Sequence, residues 1–149
     1  MIKRLLLTII ITVATTAAYA QTADLETSRI LDGKIVPMER MVATKVRGRS
    51  LSRYKLSYYR SARFECSARE METCLNTVRT DAAMAQSKTM TRRGDKRTNL
   101  FFMLQPNGKN NRFISYLHER QTKNRYKVTI IYMEGSVGSL EELEKLIDK

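Results

Sequence analysis

Residues 52–64 alternate between two kinds of side chain, and this pattern is the strongest constraint on the fold. One parity is mainly apolar or aromatic and includes Tyr54, Leu56, Tyr58, Ala62 and Phe64. The other parity is basic or hydroxylic and holds Arg53, Lys55, Ser57, Tyr59, Ser61 and Arg63. A period of two is typical of a β-strand with one buried face. We therefore expect a long strand here with a basic outer face, preceded by a shorter strand near 41–46 and a turn at 47–50.

Two capping boxes mark the starts of helices. In each box a serine and a glutamate three residues later satisfy free backbone amides, and the two boxes lie at 67–70 and 139–142. After the first box, apolar residues recur at steps of three and four until Ala85, which predicts an amphipathic helix that ends near Lys88. After the second box, Leu140, Leu143 and Leu146 give the final helix an apolar face.

Three further strands are expected at 100–104, 112–118 and 126–133, with the basic run TRRGDKRT interpreted as a linker before the first of them. The resulting order is β-β-α-β-β-β-α, with strands that are neighbours in sequence. Such an order predicts an α+β class, as a single two-layer domain with a mostly antiparallel sheet and two helices packed on one face. We assign this domain to residues 40–149. Residues 21–39 form a polar lead-in with a short helical turn near 28–31.

Residues 1–20 have the pattern of a cleavable secretory signal peptide. Lys3 and Arg4 precede a short apolar core, and Ala18-Tyr19-Ala20 offers small side chains to a signal peptidase. We expect cleavage between Ala20 and Gln21 after export by the Sec route. The apolar core is too short for a spanning helix, so no transmembrane anchor is expected after cleavage. Position 21 is not cysteine, which argues against a lipoprotein.

The positive charge predicts an anionic partner. The chain has 27 basic and 15 acidic residues, and loss of Lys3 and Arg4 with the signal would leave a net charge of +10. Export separates the protein from cytosolic nucleic acid, so we expect an anionic envelope glycan, lipopolysaccharide or an acidic protein as partner. The candidate site lies in the acid-free segment 41–64 and comprises Lys45, Arg47, Arg49, Arg53, Lys55, Arg63 and Tyr59. A solvated sheet face, with its tyrosines in the core, is the alternative.

Sequence motifs for catalysis are absent. His118 is the single histidine, and no nucleophile elbow, phosphate-binding loop or zinc signature occurs, so neither a cofactor nor a metal is expected. Glu134, beside Gly135 at the end of a strand, is the one acid in a site-like position. We favour a non-enzymatic accessory or interaction protein. The alternative is an envelope-acting hydrolase with a site around Glu134 and His118.

Cys66 and Cys74 raise the question of a disulfide, because an exported protein folds in an oxidising compartment. Two cysteines eight residues apart in one helix would lie about 12 Å apart, which is beyond the reach of about 7 Å that a disulfide requires. A bridge would need Cys66 on the strand side of a strand-to-helix corner. The spacing favours two partly buried free thiols and leaves the bridge as the alternative.

Four stretches resemble a small domain-of-unknown-function family of exported Bacteroides-type proteins. They are YKLSYYRSARF, DAAMAQSK, LFFMLQPNGKNNRFISY and VTIIYMEGSVGSLEELEKLI, and together they cover roughly 51–147. The resemblance implies a Gram-negative periplasmic or secreted location. It carries no known activity and no catalytic residues to transfer.

Overall fold

The computed structural model describes residues 24–148, and its centre is a six-stranded antiparallel sheet. The predicted signal peptide and the cleavage position Ala20–Gln21 lie outside the described residues. The strands are β1 (Met41–Arg47), β2 (Leu56–Ser67), β3 (Ser87–Arg93), β4 (Arg97–Asn107), β5 (Asn110–Thr122) and β6 (Arg125–Gly135). They are arranged in the order β1-β2-β6-β5-β4-β3. Strands β3 to β6 form successive hairpins, whereas β2 pairs with β6 across the length of the domain.

Three α-helices of the described residues accompany the sheet: α1 (Ser28–Leu31), α2 (Ala68–Ala82) and α3 (Leu140–Ile147). Short 3-10 helices occupy Met38–Arg40 and Arg49–Tyr54. The capping box of α2 is confirmed, because the Ser67 hydroxyl accepts from the Glu70 amide at 3.1 Å and Glu70 accepts from the Ser67 amide at 3.0 Å. Ser139 caps α3 through the Glu142 amide at 3.1 Å. No helix of the described residues is both long and apolar enough to cross a membrane.

The α+β class and the antiparallel sheet are confirmed, but the helices lie on opposite faces of the sheet. On one face, here the α2 face, Tyr58, Phe64 and Ile130 pack with α2. On the other, the α3 face, Tyr59 and Met133 pack with α3. The expectation of two helices on one face therefore does not hold. Because β6 is apolar at both parities near its carboxyl end, each face of the sheet must be covered by other apolar elements.

The structure adds a strand that the sequence pattern did not predict. β3 occupies residues interpreted as the end of a helix and the start of a linker, so the order of strands and longer helices is β-β-α-β-β-β-β-α. All seven residues of β3 are exposed. Its hydrogen bonds to β4, rather than burial of an apolar face, hold it in the sheet.

Residues 24–36, here the N-terminal segment, pack against the α2 face. The helical turn expected near 28–31 is present as α1, and Ile30 and Leu31 are buried in the core. Thr27 donates from its amide to the Asp81 carboxylate at 2.7 Å, and Arg60 donates to Asp32 at 2.8 Å. The described part of the polar lead-in thus contributes side chains to the core.

Candidate anion-binding surface

The basic residues predicted as a site do not form one surface. Direct cross-strand partners share a face, and β1 pairs Lys45 with Arg60 on the α2 face but Val42 with Arg63 on the α3 face. Lys45 is exposed. The pKa of its ammonium group is lowered mainly because nearby protein atoms displace water, and next because of the charge of Arg60. Arg49 and Arg63 are also exposed.

Three of these cations are engaged by neighbours, and the tyrosine is buried. The guanidinium carbon of Arg47 lies 4.6 Å from the centroid of the Tyr58 ring, and that of Arg53 lies 5.3 Å from the Tyr54 ring. The Lys55 ammonium forms an ion pair of 2.7 Å with Glu142 in α3. Tyr59 is 1% exposed because α3 and a 3-10 helix cover its face of the sheet. Its side chain therefore packs in the core instead of lying on the basic surface.

A second basic cluster lies at the opposite edge of the sheet, on the β3–β4 hairpin. Five cations and one acid, Asp95, fall within ten residues. We name the five cations the hairpin cations: Lys88, Arg92, Arg93, Lys96 and Arg97. All are exposed, and none forms an ion pair with any residue that the structure describes. Positive charge is therefore concentrated here. The described acids beside it are Asp95 in the turn and Glu119, the cross-strand partner of Arg97 on β5, and neither forms an ion pair with the hairpin cations.

Arg93 and Arg97 lie directly opposite each other across the hairpin. The turn between them uses Gly94 at φ 57°, a left-handed conformation that glycine adopts without strain. With Thr91, Arg92 and Asn99, the two arginines line a shallow pocket of about 310 Å³. Like charges directly opposite on one sheet face are destabilising. The pocket thus combines guanidinium, amide and hydroxyl donors around a point of positive charge.

Glu134 lies in a different environment, a buried polar cluster on the α2 face. Its carboxylate accepts a hydrogen bond from the Tyr132 hydroxyl at 2.7 Å and from the Asn110 side-chain amide at 3.3 Å. Arg112, its direct partner on β5, donates to Asp24 at 3.0 Å and to the Gln105 carbonyl at 2.9 Å. Glu134 is 2% exposed. Burial and the bond to Glu134 raise the pKa of Tyr132 far above its ordinary value.

Tyr58 adjoins the same cluster and leaves a polar atom unsatisfied. Its hydroxyl is buried and has no hydrogen-bond partner among the described residues. Its ring meets Tyr132 edge-on, with centroids 5.9 Å apart. Burial raises the pKa of the Tyr58 hydroxyl, so this group stays protonated.

His118 and Glu134 do not share a site. His118 pairs with Val128 on β6, six residues before Glu134, which corresponds to roughly 20 Å at the rise of a β-strand. The His118 Nδ1 atom lies 2.8 Å from the Tyr116 hydroxyl. Burial, followed by the charges of Arg92 and Arg79, lowers the pKa of its imidazole. Within 24–148, no three metal-ligating side chains of His, Cys, Asp or Glu come together.

Both cysteines are free thiols in the core. Cys66 lies near the end of β2 and Cys74 lies in α2, and both are buried against the same face of the sheet. Burial raises the pKa of Cys66 to about 11 and that of Cys74 to about 12. Neither thiol is activated as a nucleophile, because the reactive thiolate is disfavoured in such surroundings.

A recognised sequence family matches residues 13–147 of the chain. The chain belongs to DUF6108, a family of unknown function. The DUF6108 match confirms the resemblance to a domain-of-unknown-function family, whereas the exported, Bacteroides-type origin stays a prediction. No curated protein matches the sequence significantly. A crystal structure of human STARD10 aligns at a TM-score of 0.26 and 9% identity, over 92% of this chain and 74% of that one, and this likeness is too weak to support an argument.

The hairpin cations were missed as a site because their segment was interpreted as a linker. Sequence carried one usable signal, namely a Gly-Asp pair between two short runs rich in threonine and arginine. Short runs joined by such a pair are typical of a hairpin. A two-residue turn at Gly94-Asp95 would have placed Arg93 opposite Lys96, whereas the observed three-residue turn 94–96 places Arg93 opposite Arg97.

Proposed function

We propose that this DUF6108 protein is an exported, non-enzymatic interaction protein that binds an anionic partner through the hairpin cations. The observation that carries the proposal is the cross-strand pair of Arg93 and Arg97. Two guanidinium groups held opposite each other, neither in an ion pair with a described acid although Glu119 is the other cross-strand partner of Arg97, favour a bound anion between them.

The chemistry of the pocket fits an oxyanion. Guanidinium groups donate paired hydrogen bonds to phosphate, sulfate and carboxylate groups, and Asn99 and Thr91 add neutral donors beside them. Binding would remove the repulsion between Arg93 and Arg97 and add charge-assisted hydrogen bonds. In an exported protein, such groups occur on envelope glycans, on lipopolysaccharide and on acidic proteins.

A salt titration tests the proposal. Heparin and purified lipopolysaccharide serve as sulfated and phosphorylated probes, and the dissociation constant of each is measured at increasing salt concentration. We expect binding that weakens linearly with the logarithm of the salt concentration, as ionic contacts require. Absence of binding to both probes and to a poly-glutamate chain, even at low salt, would contradict the proposal.

A matched pair of variants locates the site. R93Q/R97Q removes two charges from the pocket, and R49Q/R63Q removes two exposed charges from the segment that the sequence predicted. Net charge is equal in the two variants, so a non-specific effect of charge would weaken binding equally. We expect a loss of roughly five- to thirtyfold for R93Q/R97Q only, since two lost ionic contacts correspond to about 1–2 kcal/mol. Equal losses in the two variants would assign binding to overall charge.

A further inference from the structure

β3 is an open edge of the sheet. It is the last strand in the sheet order and bonds to one neighbour, β4, within the described chain. Alternate backbone amides and carbonyls of an edge strand point away from the sheet and can pair with another chain. Its full exposure on both faces shows that the described elements leave this edge accessible.

Grooves flank β3 on both faces. On the α2 face, Met90 and Leu100 meet the end of α2 at Ala82, around a space of about 490 Å³. On the α3 face, Thr89 and Phe101 face Ile147 across a space of about 360 Å³. A strand added beside β3 would place alternate side chains toward these two faces.

The charge pattern of β3 indicates which side chains a partner strand would carry. Lys88, Met90 and Arg92 occupy alternate positions and share the α2 face, with Met90 still 47% exposed between the two cations. A complementary strand would present an acid, an apolar residue and an acid at alternate positions. Opposite charges and apolar contacts across a strand pair are stabilising.

We propose that β3 accepts an acidic, extended polypeptide segment of a partner protein as a seventh strand of the sheet. This inference rests on the proposed function and names the kind of anion that the hairpin binds. Backbone hydrogen bonds along the edge supply affinity that does not depend on sequence, and Lys88 and Arg92 select acidic side chains.

A second copy of the chain fits this edge poorly. Antiparallel pairing of two β3 strands centred on Met90 would place Lys88 of each copy opposite Arg92 of the other, because β3 runs through Lys88, Met90 and Arg92 at equal spacing. Like charges in direct cross-strand pairs are destabilising, and charged edges are a known protection against self-pairing. The same cations that discourage self-association attract an acidic strand.

Three peptides and one glycan distinguish the modes of binding. The first peptide is Thr-Glu-Thr-Val-Thr-Glu-Thr, whose palindromic sequence allows either strand direction. The second replaces its four threonines with proline, which keeps the charge but removes amide donors and the extended pairing geometry. The third replaces both glutamates with lysine. Heparin is the non-peptide anion.

We expect the first peptide to bind at least about tenfold more tightly than the other two, since each of them loses either the strand ladder or the charge pairing. Hydrogen exchange on the purified protein should then show slower exchange of β3 amides when this peptide is bound, with no change in β1. K88E/R92E should abolish the preference, and R49E/R63E, with the same change of charge, should preserve it. Circular dichroism verifies that both variants are folded.

Each contrary outcome has a distinct meaning. Equal binding of the threonine and proline peptides, or binding without protection of β3 amides, would overturn strand addition. Binding of heparin but not of the first peptide would overturn this inference and leave the proposed function standing. Failure of heparin, lipopolysaccharide, poly-glutamate and the first peptide to bind would overturn both. Dimerisation that protects β3 amides without peptide would assign the edge to a second copy.

Discussion

Thr27 donates both its backbone amide and its hydroxyl hydrogen to one carboxylate oxygen of Asp81, which lies at the end of α2. The other carboxylate oxygen accepts from the Glu26 amide at 3.1 Å. Asp81 and Thr27 are both buried. This contact joins the N-terminal segment to the helix that covers the α2 face, and it fixes where α1 enters the core.

Replacement of Asp81 with alanine should therefore destabilise the protein. D81A leaves the buried amide and hydroxyl of Thr27 and the part-buried amide of Glu26 without an acceptor, at a cost of about 2–4 kcal/mol. Urea denaturation would measure this loss as a lower midpoint. D95A, in the exposed turn between β3 and β4, is the control and should change the free energy of unfolding by less than about 0.5 kcal/mol. A D81A midpoint equal to that of the wild type would show that the contact does not stabilise the fold.

Glu70 should make stability depend on pH. The hydrogen bond from Arg40, followed by that from the Ser67 amide, lowers the pKa of Glu70 from its ordinary value of 4.5 to about 2. A depressed pKa means that the carboxylate stabilises the fold above pH 4.5 and that this contribution is lost as the pH falls from 4.5 toward 2. Because 29% of the side chain is exposed, solvent screening reduces the contribution to about 1–2 kcal/mol.

The variant E70Q tests this dependence. We expect it to unfold at lower urea concentration than the wild type at pH 7, with the difference shrinking to near zero at pH 2. E72Q alters an exposed acid two residues along the same helix and should match the wild type throughout. A difference between E70Q and the wild type that is the same at pH 7 and pH 2 would exclude the charge of Glu70 as its source.

Gly135 should not tolerate a side chain. A Cβ atom at this position would overlap the Lys55 carbonyl oxygen and would lie 2.6 Å from the Leu56 Cα atom. Both obstacles are backbone atoms that cannot move aside cheaply, so G135A should cost about 2–4 kcal/mol in thermal or urea unfolding. G138A is the matched control, because its Cβ would meet only a Glu142 carboxylate oxygen at 3.4 Å. Similar stability of the two variants would refute the close approach of β6 to the Lys55 turn.

The two thiols should be inert until the protein unfolds. At pH 8, Cys66 and Cys74 are protonated and inaccessible, so Ellman's reagent should titrate fewer than about 0.1 thiols per chain within minutes. Unfolding in guanidinium chloride should allow both thiols to react. A surface cysteine introduced as S136C is the positive control and should react at once. A mass two hydrogens lower than the reduced chain, or rapid reaction of the folded wild type, would contradict two free buried thiols.

The longer helices and most strands were predictable because their residues bury an apolar face, but α2 ends at Ala82, six residues before its predicted end near Lys88. The helix at α3 begins and ends where its capping box and leucine spacing predict, and β6 extends two residues beyond the prediction at its carboxyl end. β3 was missed for the opposite reason. It buries no side chain, so its apolar pattern does not separate it from a polar linker.

The placement of side chains on the long strand was predictable only in part. Phe64 and Tyr58 face α2 as their shared parity indicates, but an irregularity between Leu56 and Tyr58 sends Leu56 to the α3 face. Tyr59 was assigned to a basic outer surface because alternation cannot reveal that a second helix covers that surface. A site formed by residues on either side of a hairpin turn, such as Arg93 and Arg97, depends on pairing that the pattern of a single strand does not contain.

The pairing of β2 with β6 also sets the order in which the chain can assemble. The four strands from β3 to β6 can close through hairpins of neighbouring sequence, which form early in folding. Leu56 pairs with Gly135, so β1 and β2 have no place in the sheet until almost the whole chain is available. β1 and β2 are synthesised before β6, so β2 can pair with β6 only after nearly the whole chain has been made. Closure of this long loop between β2 and β6 should therefore set the rate of folding.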